Sequence, residues 1–498
     1  MEKAEKENIV MFPFMAQGHI LPFLALALQL EQKGHSITYI STPLNVKKLE
    51  SSIPPSSSIR LVEIPFNSSD HGLPPDAENN DDLPYNLVIR LLEVSPCLEP
   101  SFRKLLADLI DQQKGVKPLC IIGDFFFGWS ADVAHEFGVF HAIFSGAGGF
   151  GLACYYSIWL NLPHRHNNDE KGEFMLPDFP EAGKFHVTQL SSSVLIADGS
   201  DPSSIFQRKC LPSWVNSDGF LFNTVEELDK IGLTYFRRKL GIPVWAVGPI
   251  LLPVDGRAKA SKTSGITPEE CIEWLNSKSP NSVLYISFGS ETTISASQMM
   301  QLAKALDAGE TSFIWVVRPP IGFDTNTEFI AEEWLPEGFL QRITDQNKGL
   351  IVEKWAPQLE ILCHKAVAAF LCHCGWNSVL ESLINGVALI GWPIAGDQFY
   401  NAKLLVELVG VCVEVARGIS FEVRHEDIKY KIELVMGEND ENDKGKEIRR
   451  KAVEVKNMIK ETIMENDGFK GSSIKAMEEF LNAALLMKEG RSRADGTE

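Results

Sequence analysis

Residues 8–34 read NIVMFPFMAQGHILPFLALALQLEQKG, and this stretch decides the fold class. The run 8–14 is almost continuously apolar, as expected for a strand buried on both faces of a sheet. Met15, Ala16, Gln17, Gly18 and His19 interrupt it, and over residues 20–33 apolar side chains recur at helical spacing until Gly34 ends them. The unit is strand, loop, helix.

Working outward, the same unit recurs. Short β-rich runs at 36–41, 59–64, 118–124 and 140–145 are separated mostly by helical segments, which implies a parallel, doubly wound α/β sheet. A second series begins at 281–288 and continues at 312–317, 349–352, 367–372, 387–392 and 411–415. Two similar α/β halves therefore follow one another. Between them, residues 252–267 carry Pro253, Gly256, Ser261, Ser264 and Gly265, a composition suited to an exposed linker. The expected division is 1–251, a linker 252–267, 268–487 and a disordered polar tail 488–498. Residues 67–84 and 163–180 read as long loops of the kind that border binding sites. From 422 to about 486 the pattern is helical.

The chain length of 498 residues, 44% of them hydrophobic, exceeds the roughly 250–300 at which a single core stops growing, so two domains are the natural reading. A formal net charge of −19 argues against a nucleic-acid partner, whose phosphates demand clustered Lys and Arg. The nine cysteines are scattered without a pairing rhythm, which fits a reducing cytoplasm. The charged start MEKAEKE and an apolar stretch at 21–30 of about half a membrane span predict neither a signal peptide nor membrane insertion. A monomer is expected.

The chemistry is concentrated in residues 355–398, WAPQLEILCHKAVAAFLCHCGWNSVLESLINGVALIGWPIAGDQ. A strand at 367–372 leads through His373, Cys374 and Gly375 into a helix opening at Trp376, Asn377 and Ser378 and stopping at Gly386. Such a turn aims uncapped backbone N–H groups and a positive dipole end at a guest beyond the strand, and a diphosphate suits it. His373, Asn377 and Ser378 add side-chain donors there, and Gly375 lets the chain come close. Glu381 stands one turn on, where a carboxylate can accept from ribose hydroxyls. Trp355 offers a flat face for a base, and Asp397 and Gln398 can bind sugar hydroxyls.

The whole stretch resembles the donor-binding signature of the plant secondary-product UDP-glycosyltransferases, the family 1 enzymes of GT-B fold. FPFMAQGH (12–19), CIIGD (120–124), FNTVEEL (222–228), VGP (247–249) and SFGS (287–290) match further family landmarks, so the resemblance covers nearly the full chain. It departs from the usual pattern at Ala388 and Cys372, neither an expected contact. The resemblance implies two Rossmann-like domains facing a cleft, with C-terminal helices packing back toward the first. It places Trp355 on uracil and Gln358 and Glu381 on the ribose. His373, Asn377 and Ser378 then hold the phosphates, with Ser290, Ala356 and Gly375 also on the donor, while Trp376, Asp397 and Gln398 face the sugar. Gln398 at the last position is the family's mark of glucose donors.

Strand order 3-2-1-4-5 makes the first and fourth strands neighbours at the switch point, which brings His19 beside Asp124. A carboxylate next to an imidazole fixes its tautomer and stabilises the imidazolium formed on proton uptake. His19 is thus the expected general base, Asp124 its orienting acid, and inversion at the anomeric carbon the expected outcome. No Asp-x-Asp motif is present, and no metal or other cofactor is expected; the helix at Asn377 serves the leaving diphosphate. Met15, Phe125, Phe126, Phe127 and Phe150 are candidates for an apolar acceptor pocket, although consecutive phenylalanines cannot all face one cavity.

Other readings are weaker. Cys372, His373 and Cys374 alternate along an extended segment, which sends the thiols and the imidazole to opposite sides and disfavours a metal site. GAGGFG at 146–151 matches a dinucleotide pattern but follows the fifth strand rather than the first. The alternatives that remain are another UDP-sugar donor, or a nucleotide-sugar or lipophile-binding protein without turnover.

Overall fold

The computed structural model describes residues 6–80, 83, 85–166, 170–252, 265–289, 293–323, 327–437, 443–466 and 468–495. Seven parallel strands form the first sheet: β1 (Asn8–Phe12), β2 (Ser36–Ser41), β3 (Arg60–Glu63), β4 (Cys120–Asp124), β5 (Phe140–Ser145), β6 (Gly219–Phe222) and β7 (Val244–Ala246). Their spatial order is β3-β2-β1-β4-β5-β6-β7, so β1 pairs with both β2 and β4, with Met11 opposite Ile122. The second sheet holds β8 (Val283–Ser287), β9 (Ser312–Val317), β10 (Gly349–Glu353), β11 (Val367–Cys372), β12 (Ala388–Gly391) and β13 (Cys412–Glu414), in the order β10-β9-β8-β11-β12-β13. Both sheets reverse direction of growth beside their first strand, β1 and β8, and a crevice opens there at the carboxyl ends.

Six helices position the site: α1 (Gln17–Gln32), α2 (Gly149–Asn161), α3 (Glu226–Leu240), α4 (Trp376–Asn385), α5 (Gln398–Lys403) and α6 (Ser472–Asp495). Apolar strands need cover on both faces. On one face of the first sheet Phe23 and Leu24 of α1 pack with Phe480 of α6; on the other Phe102, Leu106 and Phe127 are fully buried. The last helix therefore belongs physically to the first sheet, where Phe480 meets Trp245 of β7 at 5.7 Å between ring centroids. This corrects the expected disordered tail over 488–495: those residues continue α6, because its apolar stripe keeps packing through Leu485 and Met487 and Lys488 ion-pairs with Glu7. Residues 253–264 of the expected linker and 496–498 lie outside the described residues.

The expected loop 163–180 carries regular structure among its described residues. It contains the strand Glu173–Met175, which pairs antiparallel with Lys184–His186. This hairpin bridges to the second half, where Lys403 of α5 donates to the Lys184 carbonyl at 2.7 Å.

Candidate active site

His19 lies in the first turn of α1 and Asp124 is the last residue of β4, adjacent across the sheet as the strand order requires. His19 Nδ1 stands 2.8 Å from Asp124 Oδ2. The carboxylate is fully buried and accepts two backbone N–H groups besides, Phe14 on Oδ2 at 3.1 Å and Phe126 on Oδ1 at 3.0 Å. An acceptor-only carboxylate makes Nδ1–H the donor, which puts the imidazole lone pair on Nε2. Tyr39, whose phenol is pushed well up by burial and then by Asp124, donates to the Ile20 carbonyl at 2.9 Å and pins the start of α1.

The rings of Phe125, Phe126 and Phe14 surround the imidazole at 5.1, 5.4 and 5.6 Å between centroids. Phe14 is not an obvious candidate in the sequence, because it sits inside the apolar run that reads as strand. Of the expected acceptor residues, Met15 is buried beside them and its carbonyl takes an N–H from Asn80, so the chain at Asn80 lies against this cluster. Phe127 turns into the core instead, 4.6 Å from Phe12. Phe150 is fully buried against Phe179 at 5.7 Å.

Across the crevice α4 begins at Trp376 after Gly375, an N-cap without a side-chain bond, so the first turn presents its N–H groups to the crevice. The His373 imidazole fills a slot between two glycines: a Cβ on Gly375 would stand 2.4 Å from its Nε2, and one on Gly289 2.7 Å. Gly289 also has φ +82°, a conformation that glycine permits. Burial, with Arg318 adding to it, pushes His373 down to about 4, so it is neutral at pH 7. Its Nδ1 and the Oδ1 of Asn377 are buried without a hydrogen-bond partner among the described residues.

Beside α4, Gln358 donates to Ser378 Oγ at 3.1 Å and to Glu381 Oε2 at 2.9 Å. Trp355 is half-buried after Lys354, whose φ of +66° turns the chain and whose carbonyl takes two bonds from Arg318. Ala356 is buried behind it. Asp397 accepts from Asn401 Nδ2 at 2.9 Å, and Gln398 Oε1 takes the N–H groups of Ile394 and Ala395 at 3.0 and 2.9 Å. Ser290 lies outside the described residues.

The two halves are linked directly. Pro22 in α1 has no N–H, so the Gly18 carbonyl four residues earlier lacks its helical donor; Asn377 Nδ2 donates to it at 3.2 Å. Trp376 is only 3% exposed, and its indole N–H donates to the Asn223 carbonyl at 2.9 Å. Sequence reasoning assigned both residues to the donor alone; Pro22 was the signal for the second role of Asn377. Among the described residues no three His, Cys, Asp or Glu side chains are grouped to hold a metal ion, and no helix is long and apolar enough to cross a membrane. All nine cysteines are thiols.

Two doubly wound domains, a His–Asp pair at the switch point of one and an uncapped helix start at that of the other, define a GT-B nucleotide-sugar transferase. Comparison with known proteins narrows the class. Residues 245–444 match the model of the UDP-glucoronosyl and UDP-glucosyl transferase family. The chain is 51% identical to UDP-glycosyltransferase 92A1 of Arabidopsis thaliana, over 98% of this chain and 99% of that one. It is 40% identical to crocetin glucosyltransferase 3 of Crocus sativus, over 88% and 93%. Among solved structures, UGT73P12 of Glycyrrhiza uralensis complexed with glycyrrhetinic acid 3-O-monoglucuronide superposes with a TM-score of 0.82 at 28% identity, covering 99% of this chain and 98% of that one. Phytolacca americana UGT2 with UDP-2fluoro-glucose and pterostilbene gives 0.74 at 26%, covering 96% and 99%. The chain belongs to the plant UDP-glycosyltransferases of family 1, enzymes that use a UDP-sugar donor and a small-molecule acceptor.

Proposed function

We propose that the enzyme transfers glucose from UDP-glucose to a hydroxyl of a small apolar acceptor, a phenolic, flavonoid or terpenoid, with inversion at the anomeric carbon. The observation that carries this reading is the 2.8 Å His19–Asp124 pair, enclosed by Phe14, Phe125 and Phe126. In the proposed reaction His19 Nε2 takes the acceptor proton as the oxygen attacks the anomeric carbon, UDP leaves from the opposite face, and Asp124 stabilises the imidazolium.

On the donor side, Trp355 stacks on uracil, Gln358 and Glu381 hold the ribose, and Trp376, Asp397 and Gln398 face the sugar. The diphosphate is assigned to the first turn of α4 with His373, Asn377, Ser378 and Ser290, which stabilise the leaving charge through N–H groups and dipole. No metal is assigned to the reaction. The Gln398 carboxamide is anchored through its oxygen, which leaves its NH2 as the donor for a sugar hydroxyl. Relatives named as glucosyltransferases of crocetin, scopoletin and a flavonoid support an apolar acceptor and a glucose donor. Monomeric, cytoplasmic action belongs to the same proposal; nine cysteines without a disulfide support the cytoplasmic part of it.

The test incubates the native chain and His19→Ala with UDP-glucose and a panel of such aglycones, with and without EDTA, and seeks products heavier by one hexose. Product from the native chain alone, unchanged by EDTA, is expected. Equal product from His19→Ala would remove the base, and product only with another UDP-sugar would replace the donor.

A further inference from the structure

The glycine run at 146–151 is the one motif the transferase reading leaves unused. A dinucleotide would need its backbone N–H groups, but here Asp229 of α3, itself buried, takes them: its carboxylate accepts from Gly149 at 2.5 Å and from Phe150 at 2.7 Å. Gly232, one turn on, lets α3 pack directly on that turn, since a Cβ there would stand 2.0 Å from Phe150 N. The start of α2 is thereby fixed from behind.

Its front face meets the sugar end of the donor domain at two glycines. A Cβ on Gly148 would stand 2.8 Å from the Trp376 indole. One on Gly151 would stand 2.1 Å from Asn401 Oδ1 and 3.6 Å from Asp397 Oδ2. Asn401 has no room to yield: it is fully buried, and its NH2 donates to the Cys374 carbonyl at 3.0 Å and to Asp397 Oδ2 at 2.9 Å. Its Oδ1 has no hydrogen-bond donor among the described residues and rests against the glycine.

We propose that Gly151 and Asn401 are positioning residues for the donor sugar, the bare Cα of one domain seating the carboxamide of the other so that Asp397 is held where the hexose binds. This role rests on the assignment of Asp397 to the sugar. Neither residue is among those assigned to the UDP moiety, so a disturbance there is expected to tell on the sugar more than on the nucleotide. The contact bridges the two domains.

The test is a double-mutant cycle of Gly151→Ala, Asn401→Ala and the pair, reading kcat/KM for UDP-glucose and the binding of UDP. A misplacement of about 1 Å costs up to about 100-fold in rate, so each single variant is expected to lose about 10- to 100-fold in kcat/KM while UDP binds within about twofold of native. With Asn401 truncated, nothing remains for a methyl at position 151 to strike, and the second substitution should add little loss. Equal losses for UDP and UDP-glucose, strictly additive losses, or no loss in either single variant would overturn the proposal. If Gly151→Ala does not fold, Asn401→Ala against Asn401→Ser decides: a hydroxyl that restores a bond to Asp397 should recover part of the loss, and no recovery refutes the role. Failure of the glucose assignment looks different: the native chain then turns over another UDP-sugar, and the same cycle run with that sugar still decides whether the seat holds Asp397.

Discussion

Replacing Asp124 by Asn tests the catalytic reading where the structure is most constraining. The carboxylate accepts three hydrogen bonds, from His19 Nδ1, Phe14 N and Phe126 N. A carboxamide cannot accept all three. With its oxygen at the Oδ2 position, its NH2 confronts the Phe126 N–H and the imidazole loses its counter-charge. With its NH2 at that position, it confronts the Phe14 N–H, donates to Nδ1 and drives the proton to Nε2, which abolishes the base. Either way a buried donor is orphaned, at a cost of about 1–3 kcal/mol in stability. General-base catalysis is worth about 10²–10⁴-fold, so kcat should fall by about 10²–10³, or about 3–4 kcal/mol in barrier. KM for UDP-glucose should hardly move, because Asp124 ends β4 of the first sheet and is not among the residues assigned to the donor. Initial rates of UDP release at saturating donor, with a thermal melt on the same samples, measure both effects. A variant that retains its fold and keeps kcat within about threefold of native would refute the pair's role.

Other consequences follow from the same structure. His141 and His373 are buried neutral, pushed down to about 3 and about 4 chiefly by burial. The unfolded chain binds protons below about 6.5 that the folded one refuses, so stability is lost as pH falls from there toward the folded values, by about 2 kcal/mol for each at pH 5. Urea midpoints at pH 7 and 5 check this, and His141→Asn should flatten the slope even if it is less stable at pH 7. Trp376→Phe removes the indole donor to Asn223 and should cost about 1–3 kcal/mol in coupling between the halves, seen as a smaller UDP-induced rise in melting temperature. A rise equal to native would show that the bond does not couple them. Gln398→His withdraws the acceptor of the Ile394 and Ala395 N–H groups and is expected to lower kcat/KM for UDP-glucose about tenfold, more than for UDP-galactose. Equal losses for both sugars would refute a sugar-reading role.

The helix start at Trp376 is where the two halves of the chain become one site. Asn377 and Trp376 serve the donor in the proposed reaction, yet the same side chains bind Gly18 and Asn223 of the other domain. Under that assignment donor binding and domain contact share side chains. The hairpin around Lys184 adds a third link through Lys403, whose ammonium also lies 4.9 Å over the Phe185 ring. The helix α5 carries Gln398 at its first residue and Lys403 at its last.

Local pattern alone determined a good deal. Alternating apolar runs and helical periods specify parallel α/β units, and the order of a doubly wound sheet then makes β1 and β4 neighbours, so His19 and Asp124 could be paired from positions 105 residues apart. The turn after β11 and its glycine were legible for the same reason, since backbone geometry near a helix start is set within a few residues. What the sequence could not settle is which face each aromatic presents: Phe125, Phe126 and Phe127 are identical in composition, and only packing turns the first two toward His19 and the third into the core. The seat between Gly151 and Asn401, the capture of the glycine turn by Asp229, and the return of α6 to the first sheet are likewise decided by tertiary structure. Each depends on contacts between segments far apart in the chain, where close packing and the need to satisfy buried polar groups, rather than local periodicity, choose the partner.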